Sequence, residues 1–212
     1  HLNSIGMTQE ELKKEYDKYD TPIMFDALKE GVEAQIVHTE VYKGVYYEIF
    51  PYSFQRVGMR KGKPVKLSNR LKSTNNLYFY GFNEKKQIVE VREGCEIENQ
   101  FDYQFLSYYD VYIKSLAYDG DKELMNISFY NLNKSQQIER IQSVGCFGAE
   151  EEEYFYDDNG RLHKIKVRQF DSAGEEGATL FYTIKYYPDG SLDSIIKSTS
   201  MYEEVVYTEK KK

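Results

Sequence analysis

The chain changes its hydrophobic period once, near residue 34. Upstream, Thr8-Gln9-Glu10-Glu11 fits a capping box, in which the Thr8 hydroxyl and Glu11 carboxylate satisfy free amides at a helix start. The spacing predicts a helix from about 9 to 19. Thr21-Pro22 then offers an N-cap with proline at the first helical position, and Ile23, Met24, Phe25, Ala27 and Leu28 form an apolar stripe ending at Gly31. From Ala34 to about residue 208 the pattern becomes runs of Val, Ile, Tyr and Phe separated by turn residues, which predicts strands.

A loose internal repeat organises this second part: a Tyr closes one strand, a polar turn follows, and Leu or Ile opens the next strand with another aliphatic three residues on. Tyr80 to Val91 aligns without gaps to Tyr130 to Ile141. Tyr118 to Ile127 and Tyr156 to Ile165 share what reads as a shorter turn, and Tyr187 to Ile195 is one residue shorter again. Asn-Gly and Pro-Asp-Gly supply the positive φ and pre-set proline that tight turns need, so each unit reads as a hairpin. Consecutive hairpins make a meander. The expected fold is α+β and predominantly β: two short N-terminal helices packed on one face of a large twisted antiparallel β-meander, the other face at least partly open to solvent. With 212 residues a single domain, 1–212, suffices, with a helical start over 8–31 and the meander over 34–208.

No window approaches the roughly 18 to 20 consecutive apolar residues of a membrane-spanning helix. His1 to Gly6 precede Met7, which fits a start downstream of a removed signal or membrane anchor, or a remnant of cloning. The net charge of −7 belongs to the C-terminal half, which carries 19 Asp/Glu against 13 Lys/Arg. That balance argues against duplex nucleic acid as partner. The exception is Arg56, Arg60, Lys61, Lys63, Lys66, Arg70 and Lys72, a stretch without Asp or Glu, read as a solvated edge-strand-and-loop face. Tyrosine is over-used, with 21 Tyr, 12 Phe and no Trp, and a Tyr-rich sheet can present a rigid recognition surface.

Little in the sequence points to catalysis. The local context of His1, His38 and His163 suggests no Ser–His–acid or Cys–His set, and phosphate loops, His-x-x-His and Cys-x-x-Cys spacings are absent. Asp119-Gly120-Asp121 and Asp157-Asp158-Asn159 read as turns rather than calcium loops. No cofactor or metal is expected. Cys95 and Cys146 each follow a glycine at a strand end with about three strands between them, which predicts two free thiols.

The strongest local charge feature is Glu150-Glu151-Glu152-Glu153, followed by Asp157-Asp158. It reads either as a solvated loop before a strand or as an acidic docking patch for a basic partner, and these six residues are the candidate partner-binding positions.

The hairpins, with Tyr156-Asp157-Asp158-Asn159-Gly160-Arg161-Leu162, look like the YD-type strands of bacterial polymorphic toxin systems. The layout over residues 8 to 208 resembles immunity proteins, closest to the TipC type that protects streptococci from an LXG-family toxin. That resemblance implies a protein tethered outside the cytoplasmic membrane by an N-terminal segment, which binds a cognate protein toxin that attacks cell-wall lipid precursors and blocks its active site or substrate access. It carries no site motif to transfer. The alternative expectation is an extracellular cell-wall or carbohydrate-binding module, using Tyr rings to stack on sugars.

Overall fold

The structure, a computed structural model, describes residues 6–66 and 73–210. It has two helices, α1 (Gln9–Tyr19) and α2 (Pro22–Glu33), followed by thirteen strands. These are β1 (His38–Lys43), β2 (Lys63–Pro64), β3 (Leu77–Phe82), β4 (Ile88–Gly94), β5 (Phe101–Tyr108), β6 (Tyr112–Tyr118) and β7 (Leu124–Leu132), then β8 (Ile138–Gly145), β9 (Gly148–Tyr156), β10 (Leu162–Phe170), β11 (Leu180–Tyr186), β12 (Leu192–Ser198) and β13 (Glu203–Thr208). All join one antiparallel sheet in which β3 to β13 run in sequence order and β1 then β2 continue beyond β3. The predicted α+β meander is the fold.

The capping box at Thr8 and Glu11 forms, and Thr21 caps α2. α2 runs two residues past Gly31, the predicted stop, because Gly31 adopts no left-handed conformation and the backbone bonds continue to Ala34. Both helices lie on the outer face over β4 to β8. There Phe25 sits edge-on to Tyr103 and Tyr118, with centroids 5.2 and 5.1 Å away, beside buried Leu12, Phe105 and Leu116. Burying one such ring stabilises by about 1.5–3 kcal/mol.

The turns are more regular than the sequence alignment suggests. Five hairpins share one length: closing residues Phe82, Tyr118, Leu132, Tyr156 and Tyr186 each lie six positions before Ile88, Leu124, Ile138, Leu162 and Leu192. The apparent shortening came from taking Tyr80, Tyr130 and Tyr187 as landmarks. In four of the five, an Asn or Asp opens the turn and its Oδ1 accepts the amides two and four residues on, as Asp157 does from Asn159 and Arg161 at 2.9 Å each. Tyr187 opens the last turn instead, and Asp189 accepts from Ser191. The fourth turn position is left-handed throughout: Lys86, Lys122, Gln136, Gly160 and Gly190, with φ between 61° and 84°. Asp171 to Glu175 repeats the geometry between β10 and β11.

Ten of the 21 tyrosines are buried, and several hydroxyls brace the scaffold. Tyr108, Tyr156 and Tyr186 donate to the carbonyls of Ile88, Ile138 and Leu162 at 2.7, 2.6 and 2.6 Å, each tying one hairpin to the one before it. Among the buried tyrosines, the hydroxyls of Tyr16 and Tyr118 donate to the carbonyls of Leu124 and Tyr19 and those of Tyr42 and Tyr154 to carboxylates, which offsets the cost of burying them.

Residues 44–62, between β1 and β2, form a strap across the inner face. Flat, a sheet of this width would hold β1 and β13 roughly 50 Å apart. Yet Arg60 donates to the Thr208 carbonyl of β13 at 2.9 Å, while Gly62, two residues later, donates to Val45 beside β1 at 2.6 Å. The sheet therefore curls until its two ends almost meet, and the strap closes the seam. Gly58 needs its φ of 78° to pass the Val206 carbonyl, and Tyr52 bonds Tyr186 at 3.0 Å from within the curl. The face expected to be at least partly open to solvent is thus the inside of the curl, filled in part by Phe50 and the buried Phe54. Among the described residues no helix is long and apolar enough to cross a membrane.

Candidate functional site: the inner groove

The strap does not fill the interior. Beside it the inner face of β4 to β10 leaves an open groove of about 960 Å³. A polar row crosses its floor, set by register: Ser128 of β7 faces Ser143 of β8, which faces Glu150 of β9, which faces Gln169 of β10. The two serine hydroxyls lie 2.7 Å apart, and the Gln169 amide donates to Glu150 at 2.8 Å. Rings of Phe50, Tyr78 and Tyr130 and the exposed Phe147 add apolar wall.

The four-glutamate run is not a solvated loop but the middle of β9, and alternation divides it. Glu151 and Glu153 face outward among cations: Arg140 and Arg168 reach Glu151 at 3.2 and 3.6 Å, and Arg140 and Lys166 stand opposite Glu153. Glu150 and Glu152 face inward. The strap delivers Arg56 to Glu152, with two hydrogen bonds of 2.9 and 2.8 Å; Tyr154 also donates to Glu152. The guanidinium stacks 4.4 Å from the Tyr182 ring. Four adjacent carboxylates are tolerated because both neighbouring strands and the strap supply counter-charges.

Arg56 was therefore misplaced by the sequence reading: it is buried, not part of a solvated face. Lys63 does lie on the two-residue edge strand β2, Arg60 and Lys61 stack on Tyr207 and Tyr46, and Arg70 and Lys72 lie outside the described residues, as does His1. Asp157 caps its turn, where the Arg161 amide foremost holds its carboxyl below the usual range, and Asp158 is exposed at the tip. The six candidate positions thus fall on two faces and one turn, and only Glu150 and Glu152 enter the groove.

The two inward carboxyls meet and are driven apart in acidity. Burial, then the charge of Glu152, pushes Glu150 up to about 7. Burial also raises Glu152, but the Arg56 hydrogen bonds and charge outweigh it and hold that carboxyl below its usual value. A proton in this pair resides on Glu150. Cys95 and Cys146 are both free, and Cys146 lines the groove mouth. Exposed His38 pairs with Glu40 at 3.3 Å, and no group of three or more His, Cys, Asp or Glu poised for a metal occurs among the described residues.

One signal for Glu152 was present in the sequence. It stands in phase with Tyr154 and so on the buried side of its strand, where a carboxylate requires a cation. Nothing local identifies that cation as Arg56.

No protein-family model matches the chain, and no curated protein matches it. Among solved structures it is similar to a porin-like protein from Bacteroides uniformis, at 17% identity and a TM-score of 0.41, over 61% of this chain and 51% of that one. The chain spans about half the length of that protein, and likeness at this level bears on neither fold nor function.

Proposed function

We propose that the protein is an immunity protein: it binds a cognate toxin domain in the inner groove and so blocks the toxin's active site or access to its substrate. The observation that carries this reading is the groove itself, open to solvent and already shaped, with its floor fixed by strand register and its side fixed by the strap. A preformed surface with aromatic anchors and a polar rim binds a protein partner without an ordering cost. The layout's resemblance to TipC-type proteins supplies the partner class and an extracytoplasmic location.

The test is affinity capture from the native organism's lysate and culture supernatant, with the natural chain and with Ser143→Phe, which places a ring in the groove. Circular dichroism verifies that the variant folds. A stoichiometric partner that arrests cells lacking this protein, and that Ser143→Phe fails to capture or neutralise, supports the reading. Recovery of wall glycans alone, or equal neutralisation by both chains, overturns it.

A further inference from the structure

We infer that the segment of the partner seated in the groove is cationic, and that one of its lysine or arginine side chains docks on Glu150. The inference rests on the groove being the partner's site, and three observations carry it.

Charge complementarity is the first. Among the described residues, seven carboxylates line the groove and no lysine, arginine or histidine does. Glu176 is matched by Arg168 at 2.7 Å and Glu152 by Arg56, but Glu93, Asp102, Asp171 and Glu175 stand around the rim with Glu150 below them. A groove of one sign with low-dielectric walls focuses its field on an incoming charge of the other.

The second observation is that the site already accepts this chemistry from within. Arg56 enters the same row of inward carboxylates, forks onto Glu152 and stacks on Tyr182. A planar cation between a carboxylate and a ring is therefore compatible with the local packing.

The third is stoichiometry of charge. Among the described residues Glu150 and Glu152 together share one guanidinium, and Arg56 directs Nη1 and Nη2 to Glu152, with Nη1 also donating to the Tyr154 hydroxyl at 3.2 Å. Glu150 receives a neutral donor, the Gln169 amide. The groups facing it are Ser143 from β8, Gln169 from β10, Glu152 on its own strand and Arg56 from the strap, with the acidic rim residues Asp171, Glu175 and Glu176 beyond. A second cation completes a two-carboxylate, two-cation arrangement, and its arrival releases the proton Glu150 otherwise holds.

The probe is an acetylated, amidated hexa-arginine peptide, titrated calorimetrically into the full chain at 0.15 M salt, with hexa-glutamate as the opposite charge. Saturable one-to-one binding is expected, weakened about tenfold or more in Glu150→Gln. In the double control Glu203→Gln/Glu204→Gln, on distant β13, affinity changes less than about twofold. Affinity rises about tenfold from pH 6 to pH 8 in the natural chain, as a carboxyl near 7 ionises, and stays flat in Glu150→Gln. Equal loss in Glu150→Gln and the control, binding of hexa-glutamate, or a flat pH profile overturns the inference. Capture of the toxin by Glu150→Gln as well as by the natural chain also overturns it and leaves the immunity reading standing. Site-specific peptide binding with no toxin captured does the reverse.

Discussion

Arg56 and Glu152, 96 residues apart, form a two-pronged ion pair across the interior of the curled sheet. The pair joins the strap to the middle of the meander, and both side chains are almost fully removed from water. Their attraction offsets the cost of desolvating them only while both are present. Arg56→Met is expected to destabilise the fold by about 3–5 kcal/mol, because Glu152 is left buried without its cation. The double variant Arg56→Met/Glu152→Leu recovers most of that loss. Urea unfolding of the three chains checks this, and a double variant no more stable than Arg56→Met would contradict it.

Stability is expected to fall as pH rises through the neutral range. Glu150 and Glu90 are both pushed up to about 7, by burial first in each case, with the Glu152 charge adding at Glu150 and Arg92 opposing at Glu90. In the unfolded chain a glutamate titrates near 4.3, so between about 4.5 and 7 the folded state holds more protons. Raising the pH through that window therefore costs stability, and the loss levels off above it. Glu150→Gln or Glu90→Gln should each lessen the drop in melting temperature between pH 5 and pH 8. The depressed carboxyls of Glu152 and Glu40 act oppositely and withdraw stability on acidification below about 4.5.

The shared turn makes its own prediction. Lys122 and Gly160 occupy the same left-handed position in two hairpins, with φ of 66° and 76°. Lys122→Gly should be neutral to stabilising by up to about 1 kcal/mol, and Gly160→Lys destabilising by about 1–2 kcal/mol. Denaturant midpoints that moved the same way in both variants would show that the turns are not equivalent.

Removing a brace should be felt locally. Tyr156→Phe and Tyr186→Phe each delete one hydroxyl-to-carbonyl bond, to Ile138 and Leu162, at an expected cost of about 0.5–1.5 kcal/mol. Hydrogen exchange should accelerate at the hairpin that loses its tie.

Both thiols should alkylate in the folded chain, Cys146 first. Cys146 is exposed, whereas burial and a hydrogen bond to Asp102 push the Cys95 thiol up. Timed iodoacetamide labelling read by mass spectrometry gives the order.

Much of the scaffold was legible because it is written locally. The Thr8 and Thr21 caps, the change of period near Ala34 and the hairpin turns depend on residues within a few positions of one another. The interior was not legible, because it depends on curvature. Arg56 looks like any residue of a basic surface stretch until the sheet's ends approach, and the strap's packing on β11 to β13 has no sequence spacing to reveal it. The glutamate run was half legible: alternation splits it, but which half faces inward is decided by Tyr154, Ile165 and Tyr182, which share a face across three strands.

Five turns of a single length, each closing on the same one-residue bulge, act as identical clamps on register: wherever one occurs, the offset between its two strands is decided within the turn itself. The remaining connections differ in length and carry no such device, so the sheet alternates clamped pairs with freely joined ones. Curl is then imposed from across the ring by the strap, while groove chemistry is set separately by the few inward-facing side chains on the strands.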